Sequence, residues 1–309
     1  MRLTDTLDAY FLAKDFTPKA RTWYRSKLSA FVAWCAEQGV EDAEGMTAPL
    51  VRRFIAEARV VISPRYNRPM SSNTLHGYAR AIKCYLNWCI GDDLVSEKVT
   101  RRLEMPKREV KVIQTFTDEH VARLFVAAGV VHPQYPWFVA RDRAILAVLL
   151  DTGIRANELC DLTLDRVHIN PDDAYLLVNG KGRKQREVGL GDKSRQLLHR
   201  YIHRFRPIVA GETHVFLTRA DKQLHPEGID RLLYKLRDLS GVQGIRVSAH
   251  TFRHTYAVNY LKAGGDIYKL SRLMGHTSVV ITEGYLRAFQ ARDARNGLSV
   301  FDEAMKKRA

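Results

Sequence analysis

A chain of 309 residues exceeds the usual size of one domain, and at 46% hydrophobic residues it holds enough apolar material for a core in each of two. Forty-nine Lys plus Arg against 34 Asp plus Glu leave a net charge of +15, an excess that favours a polyanionic partner. Cys35, Cys84, Cys89 and Cys160 form no C-x-x-C pair, which speaks against a zinc ribbon or redox site and for reduced, mostly buried thiols. Asp5, Asp8, Lys14 and Asp15 interrupt any apolar stretch near the N-terminus, so no secretory signal is expected and the predicted location is the cytoplasm.

The first hundred residues read as a small bundle of four helices. Thr17-Pro18 is a cap and first-turn pair. The helix it opens places Leu28, Phe31, Val32 and Cys35 on one face and stops at Gly39. Thr47 caps a third helix, and a fourth runs from about 72 to 91 with Tyr78, Ile82, Tyr85, Leu86 and Cys89 in one stripe, read as core. The stretch 98–117 has Pro106 and the cations Lys98, Arg101, Arg102, Lys107, Arg108 and Lys111 without clear periodicity. It reads as an interdomain linker, about 98–116, either simply solvated or following the backbone of a nucleic acid.

Residues 1–105 carry 16 basic and 12 acidic side chains, leaving 33 against 22 for residues 106–309, so most of the excess charge lies in the second part. That part opens with a helix start at Thr117-Asp118-Glu119. It continues through the apolar run Ala144 to Leu150, seven residues long and far short of the ~20 that span a bilayer, so a core helix. Tyr175 to Leu177 and Glu187 to Leu190 read as two strands around the turn Asn179-Gly180-Lys181-Gly182. Helices are expected at roughly 192–205, 226–239, 250–263, 266–274 and 278–288. There is no internal repeat. The fold class is therefore mainly α with a small β-hairpin or sheet in the C-terminal domain, 117–309, whose last segment, 286–309, is a tail.

Five segments of this second part are unusual together: Thr152-Gly153-Ile154-Arg155-Ala156-Asn157-Glu158-Leu159, Gly180-Lys181-Gly182-Arg183-Lys184, His250-Thr251-Phe252-Arg253-His254, Leu273-Met274-Gly275-His276 and Thr282-Glu283-Gly284-Tyr285-Leu286. Singly, each has a bland reading: a surface arginine, an ordinary hairpin turn, a half-packed tyrosine. In order, with H-x-x-R followed by L-M-G-H and a Tyr nine residues after His276, they resemble the catalytic set of the tyrosine recombinases, the family of phage integrases and Xer-type recombinases. The resemblance covers most of residues 117–290.

The chemistry explains the residue types. Displacing a deoxyribose oxygen from a phosphodiester builds charge on the phosphoryl oxygens, which a site without a metal must meet with fixed cations and donors. Arg155 and Arg253 suit this, since a guanidinium donates two parallel bonds to a phosphate. His250 and Arg253, three apart at a helix start, share a face. Tyr285 is the candidate nucleophile. With an unperturbed phenol pKa of ~10 it needs cationic surroundings and a proton acceptor, for which His250 is the choice. Glu158 either orients one of the arginines or is a solvent-facing carboxylate. His254 points about 100° from Arg253 and serves packing or capping. The resemblance further implies that Lys181, whose turn also holds Arg183 and Lys184, protonates the departing 5′ oxygen, and that His276 hydrogen-bonds the scissile phosphate.

There is no G-x-x-x-x-G-K-[ST] loop and no H-E-x-x-H. His199 and His203 lack a third ligand, so neither a metal nor a nucleotide cofactor is expected. Storing bond energy in a 3′-phosphotyrosine lets religation proceed without ATP. The resemblance implies a helical core-binding bundle (1–105) and a catalytic domain closing as a clamp on double-stranded DNA with specific recombination sites. It also implies a homotetramer on paired sites, monomeric or dimeric off DNA, in a cytoplasmic, nucleoid-associated enzyme that can take an accessory directionality factor. The chain begins too close to the bundle for an accessory-site domain to be expected. A type IB topoisomerase uses similar chemistry, and a cleavage-inactive DNA-binding regulator keeps the fold. The bundle and motif spacing fit integrases better than the first, and six filled reactive positions count against the second. In the tail, Leu286, Phe289, Leu298, Val300, Phe301 and Met305 make an apolar series that either folds back on its own domain or, as in related recombinases, docks from about residue 296 on the next protomer.

Overall fold

A computed structural model describes residues 1–63, 68–101, 103–107, 109, 113–180, 185–276 and 278–286. The chain divides into two compact units, Met1–Lys111 and Val112–Ala309.

The first unit contains α1 (Leu3–Ala13), α2 (Pro18–Glu37), α3 (Ala48–Val60), α4 (Ser72–Gly91) and the single turn α5 (Lys98–Arg101), with a two-residue hairpin of β1 (Ile62–Ser63) and β2 (Arg68–Pro69). Three starts are fixed by hydroxyl caps: Thr17 accepts from the Ala20 amide, Thr47 from Leu50 and Ser71 from Thr74. Each satisfies an amide that the first helical turn leaves free. Leu28, Phe31, Val32 and Cys35 of α2 meet Ile82, Tyr85, Leu86 and Cys89 of α4 in one core. The α4 aromatics are packing groups: Tyr85 is fully buried and the Tyr78 ring lies 5.8 Å from that of Phe54. Val99 and Leu103 are buried in the same core, so the basic stretch after residue 98 is anchored to this unit as far as Leu103.

The second unit begins with α6 (Asp118–Val130), capped by Thr117, and α7 (Pro136–Thr152), whose Ile145, Leu146, Val148 and Leu149 are buried on every side. Then follow α8 (Ala156–Cys160) and a three-stranded antiparallel sheet of β3 (Val167–Asn170), β4 (Asp173–Asn179) and β5 (Gln185–Gly189). Its order is β3-β4-β5, with Leu176 opposite both Val167 and Val188. The sequence reading expects only β4 and β5. The edge strand β3 has a single neighbour and only half-buried apolar residues, Val167 and Ile169, so its alternation is weak.

Beyond the sheet lie α9 (Asp192–Arg200), α10 (Pro226–Ser240), α11 (Ala249–Lys262), α12 (Ile267–Met274) and α13 (Val279–Leu286). The helix expected over 192–205 is regular only to Arg200, after which Tyr201–Phe205 widens into a π-turn that buries Tyr201. Among the described residues, no helix is long and apolar enough to cross a membrane, and no cluster of three His, Cys, Asp or Glu is placed to hold a metal ion. His199 and His203 are exposed. Cys35, Cys89 and Cys160 are buried and Cys84 is exposed, all as free thiols.

Candidate active site

Two helix ends build the site. Helix α7 stops at Gly153, which takes the left-handed conformation (φ 59°), and α12 stops at Gly275 in the same way (φ 61°). Both positions require glycine, because a β-carbon costs energy in this region and at Gly153 would run into the Tyr256 ring. A helix end also leaves its last carbonyls without amide partners. Here guanidinium groups take them. Arg186 donates to the Leu273 carbonyl at 2.6 Å, Arg253 to Met274 at 2.6 Å and Arg155 to Gly275 at 3.2 Å. Arg253 also donates to the Gly153 carbonyl at 2.7 Å, joining the two helix ends. The negative pole of α12 adds to the attraction.

Arg253 sits on α11, buried, one turn after the Ser248 cap. Burial first, and then the charges of Arg155 and Arg186, pull its guanidinium down to about 10, still protonated at neutral pH. Arg155 precedes α8 with a side chain that is 42% exposed, so it alone of the three guanidiniums reaches open solvent. Glu158, one turn into α8, is buried. Its carboxylate accepts from the Arg155 amide (2.8 Å), the Arg155 guanidinium (2.8 Å) and both terminal nitrogens of Arg186 (3.1 and 2.8 Å). Burial alone pushes this carboxyl up, but the hydrogen bonds and charge of Arg186 and Arg155 outweigh it and hold the group below the usual range. Of the two readings of Glu158, the orienting one is observed.

His276 follows Gly275. Its Nε2 lies 2.9 Å from the Arg253 guanidinium, which only donates, so Nε2 accepts and Nδ1 carries the hydrogen toward the Thr282 hydroxyl at 2.8 Å. Burial and the charges of Arg253 and Arg155 pull the imidazole down to about 4 and keep it neutral. Thr282 is on α13, one turn before Tyr285, whose ring stacks on His276 at 6.3 Å and 10° and meets the His254 edge at 5.3 Å. Tyr285 is 3% exposed. Burial raises its phenol, and Arg253 and Arg155 oppose that rise.

The structure thus gathers Arg155, Arg253, His276 and Tyr285. His250 joins through His254, four residues on and therefore on the same side of α11, with ring centroids 4.1 Å apart. Desolvation and then Arg253, Arg246 and Arg155 hold His250 below the usual imidazole range. His254 packs rather than caps: its Nδ1 is buried without a hydrogen-bond partner among the described residues, and burial, reinforced by His250 and Arg253, pulls it down to about 4. Lys181, Arg183 and Lys184 lie outside the described residues. Sequence reasoning passes over Arg186 and Thr282. The signal for Arg186 is strand period: it shares the inward face of β5 with Val188, where a cation needs a partner.

A model of the family described as "Phage integrase family" matches residues 114–292, more than half of the chain. The chain belongs to the phage integrase family. It is thereby one of the tyrosine recombinases, enzymes of site-specific DNA recombination, as its motifs imply. Among relatives of this family, the tyrosine recombinase XerD of Chlorobaculum tepidum is 27% identical over 277 residues, covering 89% of this chain and 87% of its own. Two solved structures share the fold. The XerH site-specific recombinase bound to a palindromic difH substrate, in a post-cleavage complex, superposes with a TM-score of 0.74 at 15% identity, over 91% of this chain and 80% of that one. A lambda integrase dimer bound to a COC′ core site gives a TM-score of 0.72 at 16% identity, over 97% of this chain and 100% of that one.

Proposed function

We propose that this integrase-family enzyme cuts and rejoins DNA through a 3′-phosphotyrosyl bond to Tyr285, without metal or nucleotide. The observation that carries this reading is the set of fixed cations, Arg155 and Arg253, converging with His276 on the ring of one buried tyrosine. The Tyr285 oxygen attacks the scissile phosphorus while the phenol proton passes to His250, whose lowered proton affinity leaves it neutral and able to accept. The bond from phosphorus to the 5′ oxygen breaks, and Lys181 protonates the departing oxygen. Arg155 and Arg253 neutralise the charge that builds on the phosphoryl oxygens. The Thr282 hydroxyl can serve either tautomer of His276. Once Arg253 turns to the phosphate, Nε2 is free to carry a hydrogen and donate to it. Religation runs the sequence backwards with the 5′ hydroxyl of the partner strand.

The bundle of residues 1–105 is the core-DNA-binding domain, residues 98–116 the linker and 117–309 the catalytic domain. Four protomers join two sites, and the cytoplasm is the working compartment. Relatives named as recombinases and six filled reactive positions favour this reading over a topoisomerase-like enzyme or an inactive regulator. The test is trapping on a nicked suicide duplex in excess EDTA without nucleotide. The intact protein should form a covalent adduct, and Tyr285→Phe should bind the duplex and form none. An adduct with the phenylalanine variant, or a strict need for magnesium, would overturn the mechanism.

A further inference from the structure

Arg186 engages all three nitrogens of its guanidinium on the frame of the site. The two terminal nitrogens fork onto Glu158 (3.1 and 2.8 Å) and Nε donates to the Leu273 carbonyl (2.6 Å). One side chain, 12% exposed, therefore ties strand β5, helix α8 and the end of α12 together. Each tie leads to a reactive group: Glu158 holds both the backbone amide and the guanidinium of Arg155, and Leu273 lies three residues before His276. The contact is close. A β-carbon on Gly275 would come within 3.1 Å of the Arg186 guanidinium, so the turn that delivers His276 rests directly on it. No contact joins Arg186 to Tyr285 among the described residues, and each nitrogen of this guanidinium already has a protein partner in a side chain that is only 12% exposed.

We infer that Arg186 is a positioning residue for DNA cleavage: by clamping Glu158 to the Leu273 carbonyl it sets the aim of Arg155 and the seat of His276, without itself touching the phosphate. The inference rests on the proposed phosphate-binding roles of Arg155 and His276. Arg186 stands in β5, which begins at Gln185. A lysine keeps the charge but offers one compact donor group in place of the fork. A methionine of similar length removes the charge and leaves the buried Glu158 with Arg155 as its one ion-pair partner among the described residues. Burial then raises that carboxyl toward the range where it protonates, and protonation releases Arg155.

The full-length chain and its Arg186→Met, Arg186→Lys and Arg186→Met/Glu158→Gln variants are compared on a nicked suicide duplex by single-turnover cleavage from pH 5 to 8.5, duplex affinity and thermal melting. Arg186→Met should bind within a few-fold of the parent but cleave on the order of 10–100-fold more slowly, the loss expected when a buried charge-assisted network is broken. Its rate should also fall off on the acid side at a higher pH than the parent's. The double variant should lose that extra acid limb while staying slow. Arg186→Lys should keep the parent's profile at an intermediate rate. Parental rate and profile in Arg186→Met overturn the inference. If Arg186→Met does not fold, Arg186→Lys decides, and a parental rate there overturns it equally. Failure of the parent itself to form a Tyr285-dependent adduct, or parental cleavage by Arg155→Ala, instead overturns the underlying reading and the inference with it.

Discussion

Thr282→Val isolates the link between His276 and the helix that carries Tyr285. Threonine and valine have nearly the same shape and are both β-branched, so the volume filled at this fully buried position changes little. What disappears is the acceptor 2.8 Å from His276 Nδ1. The imidazole cannot escape by moving its hydrogen to Nε2, because a donor there would face the Arg253 guanidinium, another donor, at 2.9 Å. The cost is that of an unsatisfied buried donor, about 1–3 kcal/mol. For a unit of this size it should appear as a melting-temperature drop of roughly 2–12 °C, at about 2–4 °C per kcal/mol. Thr282 sits one turn before Tyr285, so the same loss should free the helix that carries this proposed nucleophile and slow cleavage on the order of 10-fold or more. Thr282→Ser keeps the hydroxyl and should recover most of both. Scanning calorimetry and single-turnover cleavage on one preparation provide the comparison. Parental melting and cleavage in Thr282→Val would show that the hydroxyl merely fills space.

Acid should destabilise the catalytic unit through its neutral histidines. His254 and His276 stand at about 4 in the folded chain against an unfolded value of ~6.5, so the unfolded chain takes up protons first. Stability is therefore full above pH ~6.5 and falls as pH drops toward 4, by on the order of 3 kcal/mol per histidine. His254→Phe keeps the ring contact with Tyr285 and should flatten the fall, as read by denaturant melts at pH 7, 5.5 and 4.5; an unchanged slope would assign the acid response to other groups. For assembly, truncation after Arg295 should leave a folded protein that binds a single half-site but loses cooperativity between half-sites and most strand exchange. Full recombination by the truncated chain would end the idea that the tail docks on a neighbour.

Much of the fold was legible because its boundaries are set by single residues with single physical jobs. Thr17, Thr47 and Thr117 open helices, Gly39 ends one, and the turn residues from Asn179 separate the two strands that the sequence shows. The family was legible for a different reason: the proposed metal-free phosphoryl transfer restricts residue type at each position, so the order and spacing of Arg155, His250, Arg253, His276 and Tyr285 carry information. The groups that hold them are less visible. Arg155, Arg186 and Arg253 are steered by the carbonyls of Gly153, Leu273, Met274 and Gly275, and a carbonyl is the same in every residue. Only the glycines betray those places, because only they mark the helix ends that leave carbonyls unpaired. His254 was read as a packing or capping group from its angle to Arg253, and it packs, but that angle does not say against what. The useful comparison is with His250, four residues back, which brings it onto the wall around Tyr285.

The charge balance explains why such a frame suits this chemistry. Among the described residues of the site, three guanidiniums face one carboxylate, Glu158, while His250, His254 and His276 are all held toward the neutral form. The excess is two positive charges. In the proposed reaction a bound phosphodiester brings one negative charge, and as a second builds on the phosphoryl oxygens the phenol proton makes His250 cationic, so the net charge stays constant while the negative charge gathers next to the arginines. Keeping three guanidiniums together without that anion is costly, and the carbonyl dipoles of two helix ends offset the repulsion. Those dipoles are also weaker partners than carboxylates. Arg155 holds the Gly275 carbonyl by a bond of only 3.2 Å, against 2.6 and 2.7 Å for Arg253, and its side chain is the more exposed. On the proposed mechanism a phosphate would meet the more exposed Arg155 first, which would still have to share its guanidinium with Glu158 at 2.8 Å, while the buried Arg253 stands behind it.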